Sequence, residues 1–256
     1  MTHKLPVPFN EKNINQNWDN YLLTLEIAAL YVLCIISLTL SVVFVGVISH
    51  FYIDTYAQVS NQNQTMTLSL RTLVQDGSPF MGNLSAPITI IDFSDFQCYL
   101  CNRYVQNTEP QINATYIQTG KAVLIFKHLP NRGFDSMGAA LAAQCTNDQG
   151  KYWQYHKLLY SNQKPIDSGW VNKTNLKKFA SEIPGLDTQK FNSCLDSGKY
   201  KTFIQNDIDL ALSFGFKETP SFIIVNNDGS NPEFLQGALP FPSFKVTIDK
   251  KLPYLP

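Results

Sequence analysis

The hydrophobic pattern divides the chain into one long apolar segment and a series of shorter, alternating segments. Residues 27–49 carry no formal charge and are rich in leucine, isoleucine and valine. A helix of this length, at about 1.5 Å per residue, can cross a hydrocarbon core of about 30 Å. The apolar stretch extends over residues 22–53 and has aromatic side chains on both flanks, as at membrane interfaces. The pattern therefore predicts a single N-terminal transmembrane helix over residues 22–53.

A cleaved signal peptide is the alternative to a transmembrane helix at this position. It fits less well, because a polar stretch precedes the apolar run and the run is longer than a signal-peptide core. Lys4 and Lys12 precede the segment, whereas no lysine or arginine follows it before Arg71. Since positive charge favours the cytoplasmic side, we expect residues 1–21 to be a short cytoplasmic N-terminus and the rest of the chain to be extracytoplasmic.

Residues 54–78 are predicted to form a linker and a short edge strand. The stretch 54–67 is polar and rich in asparagine and glutamine, which is typical of a spacer between a membrane and a domain. Four Asn-X-Ser/Thr sequons follow the transmembrane segment and are candidate glycosylation sites, although such triplets also arise by chance in an asparagine-rich chain. They begin at Asn63, Asn83, Asn113 and Asn172.

From residue 79 onwards, strand patterns and helix patterns alternate. Residues 88–93 and 122–126 are continuous apolar runs rich in β-branched side chains, which predicts two strands buried on both faces. Between them, apolar residues recur at helical spacing, and Pro110 predicts a kink within that helix rather than its end. A strand–helix–strand unit of this spacing implies a right-handed crossover between parallel strands.

Residues 134–214 show no strand pattern and predict an all-helical insertion. The predicted helices cover residues 136–145, 152–160, 173–181, 188–195 and 199–214. Strand character returns at residues 221–225, and Asn227-Asp228-Gly229 predicts a hairpin to a partner strand at 234–235. Residues 244–251 favour a closing helix. Residues 79–256 are therefore predicted to form one α/β domain.

Charge and cysteine content exclude some functional classes. Lysine plus arginine and aspartate plus glutamate each number 20, so the formal net charge is zero. This balance argues against a general nucleic-acid-binding protein, which needs positive charge to neutralise phosphates. Five cysteines are too few for a disulfide scaffold in a chain that can bury a proper core.

The motif Cys98-Tyr99-Leu100-Cys101 is the strongest candidate for chemistry in the sequence. It follows the first buried strand and begins the predicted helix. A thiolate at a helix N-terminus is stabilised by free backbone N–H groups and by the helix dipole, which lowers its pKa. We expect Cys98, at the exposed tip of the helix, to attack, and Cys101, buried one turn further on, to resolve the mixed disulfide.

A zinc site and an inert structural disulfide are the alternatives for this motif. Zinc would need two more ligands, and the candidates Cys145, Cys194, His128 and His156 are scattered along the chain. We therefore predict no metal site.

Several motifs, taken together, resemble the DsbA-like thiol–disulfide oxidoreductases over residues 78–250. They are Pro79-Phe80-Met81-Gly82, Ala86-Pro87-Ile88-Thr89-Ile90, Phe93-Ser94-Asp95-Phe96-Gln97-Cys98, Gln149-Gly150-Lys151-Tyr152-Trp153, Cys194-Leu195-Asp196-Ser197-Gly198 and Glu218-Thr219-Pro220-Ser221-Phe222. The resemblance implies a thioredoxin-like fold with an all-helical insertion, here preceded by the transmembrane helix. It also implies no cofactor, exported client proteins that carry thiols, and a membrane redox partner that the sequence does not identify.

The same resemblance implies that Pro220 is cis and faces the two cysteines, so that Thr219 and Pro220 bind the substrate. One departure from the family concerns the residues between the cysteines, where no proline follows Cys98 and no lysine or histidine is present. On this ground we expect the site to oxidise less strongly than the most oxidising members of the family. Asp92 and Asp95 are expected to be solvated turn carboxylates, with a proton acceptor near Cys101 as the alternative.

Cys145 and Cys194 are the other two cysteines of the predicted exported domain. In an oxidising compartment we expect them to form a structural disulfide, with two buried free thiols as the alternative.

Three functions remain open at this level. The first is a membrane-anchored extracytoplasmic oxidoreductase that forms or exchanges disulfides. The second is an isomerase or reductase with the same site, and the third is a non-catalytic accessory subunit of a membrane complex.

Overall fold

The computed structural model describes residues 77–252. The predicted cytoplasmic N-terminus (1–21), the transmembrane helix (22–53), nearly all of the 54–78 linker and the sequon at Asn63 lie outside the described residues. Between residues 77 and 252, no helix combines the length and the apolar character needed to cross a bilayer.

One five-stranded sheet forms the centre of the described region. Its strands are β1 (Phe80–Gly82), β2 (Ile88–Ser94), β3 (Ala122–His128), β4 (Ser221–Asn226) and β5 (Glu233–Gln236). They lie in the order β1-β3-β2-β4-β5. β2 and β3 are parallel, as the predicted crossover requires, and the other three pairings are antiparallel. Every residue of β2 and of β3 is buried, which explains why their sequences are continuous apolar runs rather than alternating ones.

The edge strand β1 comes two residues after the 54–78 segment in which we predicted it. It pairs with β3 in the register Phe80↔Ile125. Gly82 closes this strand with a φ of +106°, and a Cβ there would lie only 2.8 Å from Ile117 Cγ2 and 3.0 Å from Ala122 O. Only glycine fits this close approach, so the position of β1 depends on a contact with residues far along the chain.

Helices cover both faces of the sheet and fill the predicted insertion. In chain order they are α1 (Tyr99–Asn107), α2 (Glu109–Ile112), α3 (Ser136–Asn147), α4 (Tyr152–Ser161), α5 (Lys173–Ser181), α6 (Thr188–Ser197), α7 (Lys201–Ser213) and α8 (Phe241–Lys251). The segment α3–α7 is the helical insertion, so the predicted α/β fold with an all-helical insertion is confirmed.

The helix that follows the two cysteines is interrupted where Pro110 predicted a kink. α1 ends at Asn107 with Thr108 as its C-cap, and the chain continues through α2 into a π-helical turn, Asn113–Ile117. Pro110 has no N–H to donate, so the helical hydrogen-bond pattern is interrupted there. Next to it, the Thr108 hydroxyl donates to Leu239 O at 3.0 Å. This hydrogen bond connects the C-terminal end of α1 to the loop before α8.

A disulfide joins Cys145 in α3 to Cys194 in α6, with the two Cα atoms 5.9 Å apart. A second link fixes the insertion to the sheet, because Lys127 on β3 forms a buried ion pair with Asp207 on α7 at 2.9 Å. Asp207 also accepts a hydrogen bond from His128 N at 2.9 Å. The insertion is therefore attached to the sheet next to the loop that follows β3.

Candidate active site

Cys98 occupies the N-cap of α1, directly after the loop that leaves β2. Its backbone is extended (φ −75°, ψ 118°), so its side chain turns back over the first turn of the helix. The Cys98 Sγ accepts a hydrogen bond from Cys101 N at 3.4 Å. This places the sulfur where backbone N–H groups have no partner within the helix.

Thr219 and Pro220 face Cys98 from the loop before β4. The peptide bond between them is cis. The Cys98 thiol donates to Thr219 O at 3.2 Å. The structure therefore brings together the four residues that the sequence assigned to catalysis and substrate binding, namely Cys98, Cys101, Thr219 and Pro220.

Both thiols are free and buried, contrary to one expectation. Cys101 is 0% exposed and Cys98 only 3% exposed, so the prediction that Cys98 lies at an exposed tip is wrong. Thr219 O lies 3.2 Å from the sulfur, and Gln163 Nε2 donates to the backbone oxygen of Cys98 at 3.0 Å. This cover comes from segments distant in sequence, which the helical periodicity around Cys98 could not reveal.

The two thiols differ sharply in acidity. A hydrogen bond from the Cys101 thiol, followed by those from the Thr219 side chain and the Cys101 N–H and by the charge of Arg132, lowers the pKa of Cys98 to about 6 against the effect of burial. Burial, followed by the hydrogen bond and charge of Cys98, raises the pKa of Cys101 well above its ordinary value. Near neutral pH, Cys98 is therefore the thiolate and Cys101 the thiol, which is the division of labour that disulfide exchange requires.

Arg132 is a residue of this site that the sequence analysis missed. It lies in the loop after β3, where its Nη2 donates to Glu218 Oε2 at 2.6 Å and its Nε donates to Thr219 Oγ1 at 3.2 Å. Its charge lies outside the Cys-X-X-Cys motif, so the residues between the two cysteines do not reveal it. A usable signal was the parallel pairing of β2 and β3, because the carboxyl ends of parallel strands lie at the same edge of a sheet.

Asp95 joins the cysteine loop to the loop that carries Arg132. Its Oδ1 accepts from Gln97 N, and its Oδ2 accepts from Asn131 N and Arg132 N, all at 2.8 Å. The residue is only 2% exposed, so the expected solvated turn carboxylate is wrong here. Burial raises the pKa of Asp95, although the hydrogen bonds that it accepts oppose this effect.

Asp92 is also buried rather than solvated. It lies in the centre of the sheet, between Phe126 on β3 and Phe222 on β4, and is 0% exposed. Burial raises the pKa of Asp92 to about 7 despite a hydrogen bond from Ser94. Its Oδ2 has no hydrogen-bond partner among residues 77–252. The charge of Asp92 also contributes, after burial and Cys98, to raising the pKa of Cys101, so the two groups interact electrostatically.

Asp167 holds three loops together around the cysteine motif. Its carboxylate accepts from Gln97 Nε2 and from Phe134 N, each at 3.0 Å. Apolar side chains on these segments project into solvent, since Tyr99 is 71%, Phe134 96% and Ile166 49% exposed. We call these three side chains, Tyr99, Phe134 and Ile166, the apolar rim, since they lie on or next to the segments that Asp167 joins to the cysteine loop.

The remaining predicted site residues lie apart from the two free thiols in sequence. Asn83 and Asn172 are exposed, and Asn172 caps α5, whereas Asn113 is half-buried in the π-helical turn. In the described part of the chain, no group of three or more histidine, cysteine, aspartate or glutamate side chains is arranged to hold a metal ion.

Comparison with known proteins gives a consistent family. A family model described as thioredoxin matches residues 75–239. The chain is 31% identical over 175 residues to the probable disulfide bond formation protein D of Bacillus anthracis, an alignment that covers 67% of this chain and 77% of that protein.

Two solved structures extend the similarity to the fold. The chain is similar to α-DsbA1 of Wolbachia pipientis with 29% identity and a TM-score of 0.60, covering 68% of this chain and 90% of that one. It is similar to oxidised BdbD from Bacillus subtilis with 25% identity and a TM-score of 0.61, covering 68% and 92%.

Proposed function

The chain belongs to the thioredoxin family and, within it, to the DsbA-like thiol–disulfide oxidoreductases, and we propose that it is a membrane-anchored enzyme that forms disulfides in exported proteins. Its activity is dithiol–disulfide exchange. The observation that carries the site assignment is the asymmetry of the two thiols, with the pKa of Cys98 lowered to about 6 and that of Cys101 raised.

In the oxidising direction, the site begins as a Cys98–Cys101 disulfide. A client thiolate attacks the Cys98 sulfur, the bond to Cys101 breaks, and Cys101 leaves as a thiolate that takes up a proton. A second client thiolate then attacks the client sulfur of the mixed disulfide and releases Cys98 as a thiolate. Two electrons pass from the client to the cysteine pair, and the low pKa of Cys98 makes it the better leaving group.

Asp92 supplies the proton that Cys101 takes up and accepts it again in the reverse direction. Its pKa of about 7 allows both protonation states near neutral pH, and its Oδ2 has no competing partner in the described region. Asp92 therefore acts as a proton store for the cysteine pair.

Client proteins bind along Thr219 and Pro220, where an extended client segment passes over Cys98. The apolar rim of Tyr99, Phe134 and Ile166 surrounds this position and favours apolar residues next to the client cysteine. The Cys98 Sγ lies 3.2 Å from Thr219 O, so the binding segment and the nucleophile are adjacent.

The membrane and export parts of the proposal rest on the sequence alone. Residues 22–53 anchor the chain, the domain over residues 79–256 lies outside the cytoplasm, and Asn63, Asn83, Asn113 and Asn172 are candidate acceptors for glycans. A membrane redox partner reoxidises the cysteine pair by accepting two electrons from it. The Cys145–Cys194 bridge is a structural disulfide, in keeping with an oxidising compartment.

An isomerase or reductase with the same cysteines is the second candidate function, and the equilibrium potential of the pair distinguishes the two. The test of function uses the full chain in detergent with a reduced, denatured model protein that contains two cysteines. Oxidation of that protein by stoichiometric oxidised enzyme, lost in Cys98→Ser, supports the oxidase. Failure to oxidise it, combined with reduction of a scrambled disulfide, supports the isomerase or reductase. Absence of any exchange supports the accessory-subunit reading.

A further inference from the structure

A charged pair stands beside Cys98 without belonging to the cysteine motif. Arg132 Nη2 lies 2.6 Å from Glu218 Oε2, and the two side chains are 29% and 67% exposed. The pair joins the loop after β3 to the loop before β4. Neither residue takes part in the exchange steps described above.

The guanidinium group shares a hydrogen-bond acceptor with the nucleophile. Thr219 O accepts from the Cys98 thiol at 3.2 Å and from Arg132 Nη2 at 3.4 Å. The cation therefore lies next to the atom on which negative charge develops when Cys98 ionises or leaves a disulfide. The positive charge of Arg132 is among the causes that lower the pKa of Cys98.

The position of Arg132 is fixed at both ends of the residue. Its backbone N–H donates to the buried Asp95 carboxylate at 2.8 Å, and its Nε donates to Thr219 Oγ1 at 3.2 Å. These hydrogen bonds hold the guanidinium in one position before the thiolate forms. Little further rotamer freedom is therefore lost when Cys98 ionises. Glu218 adds a negative charge on the solvent side of the same guanidinium.

Several other charged or titratable groups act on this thiolate. Cys101 and the Thr219 side chain stabilise it by hydrogen bonds, whereas the negative charges of Asp92 and Cys98 oppose each other. Of the groups that affect Cys98, Arg132 is the cation, and Glu218 is the carboxylate in direct contact with that cation.

We propose that Arg132 and Glu218 are a positioning pair that sets how far the Cys98 thiolate is stabilised, with the guanidinium increasing that stabilisation and the carboxylate limiting it. This inference rests on the proposed function, since it concerns the same nucleophile. It assigns the control of oxidising strength partly to two residues outside the Cys-X-X-Cys motif. Replacing the carboxylate alone should make the enzyme a stronger oxidant than the natural chain.

The test is a thiolate titration of the reduced full chain, followed by absorbance near 240 nm, in Arg132→Gln, Glu218→Gln and the double variant. We expect Arg132→Gln to raise the pKa of Cys98 by about one unit, as the loss of a nearby opposite charge does. Glu218→Gln is expected to lower it by a smaller amount. In the double variant the Glu218→Gln shift should disappear, because the carboxylate acts through the guanidinium.

Two controls separate charge from loop geometry. Arg103→Gln removes another arginine, one that lies on α1 and donates to Ala238 O, and it should leave the titration unchanged. Arg132→Lys keeps the charge but not the forked geometry of the guanidinium. In this variant the pKa of Cys98 should stay closer to that of the parent chain than it does in Arg132→Gln. If Arg132→Gln fails to fold, Glu218→Gln still tests the pair, because it should lower the pKa of Cys98, and an unchanged or raised pKa would overturn the inference.

The inference is overturned if Arg132→Gln leaves the pKa of Cys98 unchanged. It is also overturned if Arg132→Gln and Glu218→Gln shift that pKa in the same direction, since loop geometry would then explain both effects. Mixed-disulfide formation by the parent chain is measured in the same samples. A parent that exchanges disulfides while its variants show no shift defeats only this inference, whereas a parent that exchanges none defeats the proposed function.

Discussion

The Cys98 sulfur lies 3.2 Å from the carbonyl oxygen of Thr219, although 121 positions separate the two residues in the chain. β2 and β4, which pair antiparallel in the centre of the sheet, bring them together. The same edge of the sheet receives the loop after β3, which carries Arg132. The chemistry of the site therefore depends on three chain segments that meet only in the folded protein.

The first prediction concerns the division of labour between the thiols. Cys98→Ser should abolish oxidation of a reduced client, because the remaining thiol is buried and its pKa is raised. In Cys101→Ser, the Cys98 thiolate can still attack the disulfide of an oxidised client and release one client sulfur as a thiolate. The Cys101 thiol that would attack the Cys98 sulfur and release the client is missing, so these mixed disulfides should accumulate on non-reducing gels. Complexes trapped by Cys98→Ser but not by Cys101→Ser would make Cys101 the nucleophile and contradict the account.

A second prediction concerns the buried carboxyl group of Asp92. Its pKa is raised from 3.8 to about 7 in the folded protein, so protonation of this group contributes to the free energy of unfolding. The contribution is fully present below about pH 4. That contribution is lost as the pH rises towards 7, because the ionised carboxylate is less well solvated in the folded protein than in the unfolded chain. Asp92→Asn should remove this loss and raise the free energy of unfolding at pH 8, by on the order of 4 kcal/mol as an upper figure.

The same variant should slow the step in which Cys101 gains or loses its proton. Denaturant unfolding at pH 4 and pH 8 gives the stability comparison, and rapid mixing with a mixed-disulfide substrate gives the rate of resolution. Ser94→Ala is a suitable control, since it removes the hydrogen bond to Asp92 but keeps the carboxyl group. Equal pH dependence in the parent and in Asp92→Asn would show that Asp92 is not the titrating group.

A third prediction concerns the bridge between Cys145 and Cys194. Replacing both with alanine removes a cross-link that spans 49 positions, and the chain-entropy model gives a loss of about 4 kcal/mol. Client oxidation should largely survive, because the bridge lies outside the Cys-X-X-Cys motif. Peptides containing the two cysteines should be linked in mass spectra of the non-reduced protein, and free thiols at both positions in freshly alkylated protein would contradict the bridge.

A fourth prediction concerns topology. In intact cells, a membrane-impermeant thiol reagent should label reduced Cys98 slowly, because the residue is only 3% exposed, and should not label an engineered cysteine near position 10. Labelling after permeabilisation provides the control. The opposite pattern would place the domain in a reducing cytoplasm and favour the reductase.

The fold of residues 77–252 could be predicted from the sequence because the spacing of apolar residues that marks a helix or a strand is a local property. The continuous apolar runs of β2 and β3, the hairpin signal at Asn227-Asp228-Gly229 and the helical stripes of the insertion each act over a few residues. The ends of elements moved by a few residues, and β1 lies slightly later than expected because its position depends on the contact of Gly82 with Ile117.

The candidate site could be predicted only as far as its local part extends. The cysteine motif is contiguous, and its location at a helix N-terminus followed from the sequence. The burial of Cys98, Asp92 and Asp95, and the cation of Arg132, could not follow from it, because each depends on a segment from elsewhere in the chain. The expectation that the site oxidises less strongly than the most oxidising family members rested on charge between the cysteines, and Arg132 supplies charge from outside them.

The equilibrium potential of the Cys98–Cys101 pair, measured in the full chain against glutathione buffers, tests the central claim most directly. A stabilised Cys98 thiolate favours the reduced form and makes the pair oxidising. We expect a potential between about −270 mV, the value of a reducing thioredoxin, and about −120 mV, that of the most oxidising relatives. A potential at or below about −270 mV would mean that the thiolate is not stabilised in the way described, and would contradict the assignment as an oxidase.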